Sequence, residues 1–254
     1  MPNAWARNSA RPSGATAHPI FFLTESLTIL VTRPEPGGSA TADLLRARGH
    51  VPVLAPCLDI EALPATLPYT CDAIVIASAQ ALPGLPAAWR AIPLFAVGDA
   101  TAARARDLGF ITVESASGTA RDLADLVARQ LKPHAAIVLP CGAGHSLELA
   151  AALRTAGFRV TRRVVYCSRP TEHLSAAAIA ALAAEAVDRV MIFSPATARR
   201  FASLIDHESL AGTLRRAIAI AISPAAAAPL ARLPFRAIRA AISPDQDHML
   251  AILP

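Results

Sequence analysis

The chain reads as an α/β protein made of two similar parallel-sheet domains, and three observations predict this. Apolar, β-branched runs alternate with Ala/Leu/Arg segments of helical period, the pattern of βα units around a buried parallel sheet. One such unit recurs: ILVTRPEPGGSATADLLRARGHVPVL, from Ile29, reappears as IVLPCGAGHSLELAAALRTAGFRVTR from Ile137. The length of 254 residues also exceeds the roughly 100–150 residues of a usual single domain.

Taken in order, the first strand is expected at 28–32, followed by a Pro/Gly turn and a helix closed by Gly49, whose site needs a left-handed backbone. Strand 51–54 completes this short unit. A long unit follows, with strands at 73–77, 94–97 and 111–113 and helices between them. The second short unit has strands 136–139 and 160–165 about a helix closed by Gly157, the counterpart of Gly49. An Ala-rich helix over 176–186 leads into the second long unit, with strands 189–193, 217–222 and 236–240. CDAIVIASAQAL and IPLFAVGDATAARARDLGF in the first long unit match VDRVMIFSPATARRF and AIAIAISPAAAAPLARLPF in the second.

The order short, long, short, long permits two partitions. Continuous halves would break near residues 132–134. The other joins the first short unit to the last long one. Segments 55–63 and 164–171 favour it, because both carry strand residues and Pro beyond the needs of the repeat and read as paired straps. The expected organisation is therefore a disordered tail at 1–25, a discontinuous first domain at 26–54 and 172–254, a linker at 55–63 and 164–171, and a second domain at 64–163. Two straps side by side make a hinge over a cleft.

Composition narrows the function. No stretch supplies the ~20 apolar, charge-free residues of a membrane helix, and the Arg- and Ser-containing start has no secretory core, so a soluble, cytoplasmic protein is expected, without membrane contact. The net charge of +5 is almost all Arg scattered among acids, whereas nucleic-acid binding calls for clustering; no nucleic-acid partner is expected. Cys57, Cys71, Cys141 and Cys167 form no CxxC pair and no His stands at zinc-ligand spacing, so no metal is expected. Cys57 and Cys167 lie in the two straps and are candidates for proximity.

Candidate contacts collect at strand ends: Ser78, Gly98 to Thr101 and Ser115 to Thr119 in one long unit, Ser194, Ser223 and Ser243 in the other. Ligands bind beyond the carboxyl ends of parallel strands, where helix N-termini offer free amides to anions; each Ser or Thr also serves as a plain helix cap. Gly142-Ala143-Gly144 hints at an anion loop but has neither GxGxxG nor Walker spacing, so a nucleotide is not expected. Paired carboxylates and Ser/His/Asp groupings are missing. Tyr166, in the second strap, is a phenol placed to donate a proton into a cleft, or a packed ring. Arg33 offers a bidentate carboxylate contact, or is a solvated turn residue.

The VTRP closing the first strand, the segment from Asp72 to Leu82, FAVGDATAARARDLGF, the VVY ending at Tyr166 and FSPATARRF from Phe193 together resemble uroporphyrinogen-III synthase, from about Leu27 to the C-terminus. The resemblance implies two flavodoxin-like domains joined by a two-stranded linker, the first discontinuous, and a monomer without cofactor. It implies a lyase of heme biosynthesis that closes hydroxymethylbilane, a linear tetrapyrrole polycarboxylate, into uroporphyrinogen III with ring D inverted and water lost. Tyr166 is then the catalytic candidate, and Thr32, Arg33, Ser78, Gly98, Thr101, Ser117, Gly142, Ser194 and Ser223 are substrate-binding candidates. Ala225-Ala226 and Gln80 depart from the hydroxyl residues and the Asn common in the family. A reading from another class, a catalytically idle two-domain binding module for an anionic metabolite, would keep the hinge without the chemistry.

Overall fold

The computed structural model describes residues 25–253. The tail expected at 1–25 therefore lies, but for Glu25, outside the described residues. The chain opens with β1 (Thr28–Val31), α1 (Gly37–Ala47), β2 (Val51–Leu54), β3 (Leu58–Ala62) and β4 (Ala73–Ile76). It continues through β5 (Leu94–Ala96), α2 (Asp99–Asp107), β6 (Val113–Ser115), α3 (Ala120–Gln130), β7 (Ala136–Gly142), α4 (Leu147–Thr155) and β8 (Arg159–Pro170). The last part holds α5 (Ala176–Ala183), β9 (Arg189–Ile192), α6 (Pro195–His207), β10 (Ile218–Ala221), α7 (Pro224–Ala227), β11 (Ala237–Ala240) and α8 (Gln246–Ala251).

The strands form two sheets. One has five parallel strands in the order β11-β10-β9-β1-β2, and the other six in the order β3-β8-β7-β4-β5-β6. The first short unit thus shares a sheet with the last long unit. In the six-stranded sheet β3 alone runs antiparallel, pairing with the far half of β8 from Tyr166 to Pro170. Each sheet has its own apolar packing. Leu30, Val190, Ile192, Phe201 and Ile205 centre one cluster of the five-stranded sheet, and Ile74, Ile76, Leu94 and Val138 one of the six-stranded sheet.

Local chemistry explains the elements. In α6, Ala198, Phe201, Ala202 and Ile205 are buried, at the i, i+3, i+4, i+7 positions of an amphipathic helix. Ser194 caps it through the Thr197 amide at 3.0 Å, and Pro195 stands in the first turn, where no N–H is needed. Gly49 and Gly157 follow α1 and α4 with φ of 83° and 90°, as their matching positions in the repeat require.

Several expectations need correction. Between β4 and β5 there is no α-helix but two short 3₁₀ segments, Ala79–Gly84 and Ala87–Ala91; Pro83 and Pro86 lack the N–H that a continuous helix would use. The strand expected at 111–113 lies at Val113–Ser115, because the turn after α2 runs through Gly109 (φ 89°) and leaves Ile111 78% exposed. The strap 164–171 continues the 12-residue β8 without a break and pairs antiparallel with β3 of the other strap. Cys57 and Cys167 do not meet. The Cys57 carbonyl accepts from the Thr171 amide at 3.2 Å while Cys167 sits opposite Glu61, an offset of four residues, or roughly 13 Å along a strand.

Candidate functional site

Two cavities share Ala77 and Ser78 at the carboxyl end of β4. The larger, about 670 Å³, lies between the two sheets: Arg33, Gly37 and Ala40 line it from the β1–α1 side, Gln80, Thr101 and Arg104 from the other. Gln80 Nε2 donates to the Glu35 carbonyl at 2.9 Å and bridges this cleft. The smaller, about 430 Å³, is walled by Tyr166, Gly142, Gly144, His145 and Ser146.

Arg33 is held with care. Its Nη1 donates to Gln246 Oε1 at 2.9 Å and to Thr41 Oγ1 at 3.3 Å, and its guanidinium lies 4.8 Å from the centre of the Phe193 ring. Burial pushes its pKa below the ordinary value, and the Glu35 charge partly restores it. Among the described residues no carboxylate comes within ion-pair distance of Arg33. The guanidinium is thus held by hydrogen bonds, the Phe193 ring and the more distant Glu35 charge, and it keeps donors for a paired anion. Asp43, which pairs with Arg46 at 2.7 Å, and Asp107 also line the cleft beside Arg33 and Arg104, so its lining carries both signs of charge.

Tyr166 stands where β8 changes partners. It is opposite Gly142 of β7, next to an irregularity at Cys141/Gly142, and opposite Ala62 of β3. Its ring lies on Gly142 so closely that a Cβ there would be 2.7 Å from Cε2 and Cζ. Only 6% of the residue is exposed. Burial lifts the phenol pKa above its usual range, against the Ser78 hydroxyl and the Gly142 backbone, which draw it down, while Cys141 pushes it up. The phenol therefore stays protonated near neutrality. Behind it, Arg162 Nε donates to the His145 carbonyl at 3.0 Å and ties the 142–146 loop to β8. Ser146 begins α4 at φ 60° without a side-chain cap, which leaves first-turn amides open to the smaller cavity.

The fold brings Arg33, Ser78, Thr101, Gly142 and Tyr166 onto the linings of these adjoining cavities. Gly98 starts α2 just before Thr101, with open space where a Cβ would stand. Thr32 is elsewhere engaged: it is fully buried and its hydroxyl donates to the Met191 carbonyl at 2.6 Å, joining β1 to β9. Ser117 lines neither cavity, and its hydroxyl donates to Asp99 at 2.8 Å. Ser194 and Ser223 also line neither, and both cap helices, with the Ala226 amide reaching Ser223 at 3.3 Å. Gln246, His145 and Arg162 escaped sequence reasoning. Gln246 is 213 residues from Arg33, and no local pattern announces such a contact.

The family model of uroporphyrinogen-III synthase HemD matches residues 39–251, a stretch that begins after Thr32 and Arg33. Among solved structures the chain is similar to a uroporphyrinogen-III synthetase from Helicobacter pylori, at 16% identity and a TM-score of 0.57, covering 89% of this chain and 97% of that one. It is also similar to a mutant uroporphyrinogen III synthase from Thermus thermophilus, at 18% identity and a TM-score of 0.44, covering 89% and 96%. At such identity the Helicobacter structure speaks to the mixed α/β fold with its mainly parallel sheets. No curated protein matches the chain.

Proposed function

The chain belongs to the uroporphyrinogen-III synthase family, and from that premise we propose that its inter-sheet cleft closes hydroxymethylbilane into uroporphyrinogen III, inverting ring D and releasing water. The observation that carries the reading beyond family membership is the cleft itself, with an Arg33 that has no ion-pair partner among the described residues on one wall and, through Ser78, a protonated phenol in the adjoining cavity.

The chemistry asks for few reactive side chains. Proton donation by Tyr166 to the ring A hydroxyl releases water and leaves an electrophilic azafulvene. Ring D attacks through its substituted carbon, and the resulting spiro intermediate opens and recloses with that ring inverted. The pyrroles supply the electrons, so the protein holds a flexible polycarboxylate in the reacting shape and assists the leaving group. Arg33 pairs with one carboxylate, the open amides of α4 and α2 serve others, and Gly142 seats the Tyr166 ring. Ser78 stands between both cavities and orients the phenol. Thr32, Ser117, Ser194 and Ser223 act through backbone placement and not through their hydroxyls, which are already engaged.

In this reading the chain is a cofactor-free lyase of heme biosynthesis, a cytoplasmic monomer that takes no nucleic acid. No described helix is long and apolar enough to cross a membrane. The domains are 26–54 with 172–254, and 64–163, joined by 55–63 and 164–171; the separate sheets and separate apolar clusters support this division. The strand order β2-β1-β9-β10-β11, which is 2-1-3-4-5 along the chain, supports a flavodoxin-like type for the first domain, and the order β6-β5-β4-β7-β8, which is 3-2-1-4-5, supports a doubly wound parallel sheet for the second. The test is to supply enzymatically generated hydroxymethylbilane to the pure protein and resolve the isomers. Isomer III supports the reading, whereas isomer I alone, the spontaneous product, removes it.

A further inference from the structure

Far from the cleft, the fold assembles a group that no spacing in the sequence announces. His207 ends α6 and Glu208 follows it, while His173 lies in the segment that leaves β8 for α5. The ligand atoms of the three side chains all fall within 4.8 Å of one another. Glu208 Oε1 is 3.0 Å from His173 Nδ1 and 3.7 Å from His207 Nδ1. The imidazoles do not stack: their centroids are 5.4 Å apart and their planes tilt by 59°. Both rings thus turn a nitrogen toward one carboxylate oxygen.

We propose that His173, His207 and Glu208 form a binding site for a divalent transition-metal ion of the zinc type. Two imidazoles and a carboxylate suit zinc, nickel, cobalt or copper, whereas magnesium and calcium prefer sites made of oxygen alone. Metal–ligand bonds of 2.0–2.2 Å in a tetrahedron place ligand atoms roughly 3.4 Å apart, so the group needs movements of about 1 Å or less at side-chain tips to close. Both His side chains are 62% exposed, which gives them that freedom and leaves a fourth position for water. The site is also at the carboxyl end of α6, where the helix dipole favours a cation.

The backbone under the site is already fixed. Arg200 of α6 donates to the Thr171 carbonyl through Nε at 2.6 Å and also reaches the Glu172 carbonyl at 3.2 Å. An ion would add a second tie between the same segment and the same helix, clamping the outgoing end of the β8 strap onto the five-stranded side. Since α6 is 13 residues long, or about 20 Å, and begins at Ser194, the ion would be remote from the strand ends and outside the cyclisation chemistry.

Titration calorimetry of tag-free, full-length protein with Zn²⁺ alone tests the site. One ion should bind per chain, His173→Ala and His207→Ala should each weaken binding at least about tenfold, since even partners behind a ligand contribute 10–100-fold, and amide exchange at residues 172–174 should slow with Zn²⁺ but not with Mg²⁺. Both His are at the surface, so the variants should keep the wild-type circular dichroism. An absence of binding, or an isotherm unchanged in the His173→Ala/His207→Ala double variant, overturns the proposal.

Discussion

Replacing Gly142 by Ala tests the seat of the proposed proton donor, Tyr166, without altering its hydroxyl. A Cβ at 142 would lie 2.7 Å from two carbons of the Tyr166 ring, whereas carbon contacts settle near 3.5–4.0 Å. The ring must therefore retreat by about 1 Å. A misplacement of that size costs up to ~10²-fold in rate, comparable with the loss expected on removing the hydroxyl itself, which is ~10²-fold or less when water can stand in for the donor. Overpacking should also lower stability by about 1–3 kcal/mol, so rates are to be compared well below each variant's melting temperature. Because both changes act on one proton transfer, they should not multiply: Gly142→Ala, Tyr166→Phe and the double variant should each fall to about the same rate. Isomer-resolved initial rates measure this. Wild-type turnover in Gly142→Ala, or losses in the double variant near 10⁴-fold, would refute the assigned seat and role.

Other outcomes follow from the same geometry. Arg33→Ala should raise KM more than it lowers kcat, because pairing with a remote carboxylate is largely uniform binding; steady-state kinetics decide it. Gly37→Ala should mimic that change, since its Cβ would lie 2.5 Å from Arg33 Nε and push the guanidinium aside. Thr32→Val should leave KM unaltered and cost about 0.5–1.5 kcal/mol in denaturant melts, the worth of one buried hydrogen bond. Cys57, raised by burial from its ordinary 9.0 to about 12, sets an alkaline limit. A folded pKa above the unfolded one gives a contribution that is complete below pH 9 and lost as pH climbs from 9 toward 12. Cys57 should then contribute a fall of about 1.4 kcal/mol per pH unit in that window, on top of the falls from Cys71, Cys141 and Tyr166, which burial also raises, and Cys57→Ala should make the slope shallower by about that amount.

Whatever depends on near neighbours was open to reading in the chain. Four-residue apolar runs marked the buried strands, and Gly49 and Gly157 announced their positive φ through equivalent places in a repeat. Tyr166, inside β8, and Arg33, just after β1, both line a cavity, as a cleft between strand ends leads one to expect. Long-range pairings were hidden. Thr32 looked like its neighbour Arg33, yet its side chain points at Met191, 159 residues away, while Arg33 meets Gln246. Hydroxyls at strand ends were ambiguous for a physical reason: capping and ligand binding ask for the same residue types at the same position, and only the measured partner of each oxygen separates them. Pro83 and Pro86 stand in plain view in the chain, and each lacks the N–H that a continuous helix would use, so the link between β4 and β5 is two 3₁₀ turns.

The central claim is that one tetrapyrrole is held between the strand ends of both sheets. A crystal structure of the protein with uroporphyrinogen III tests it most directly. The account predicts the macrocycle in the cleft, with a carboxylate on Arg33 and the ring A edge turned toward Tyr166. Product bound to one sheet alone, or on a face away from Ser78, would contradict it.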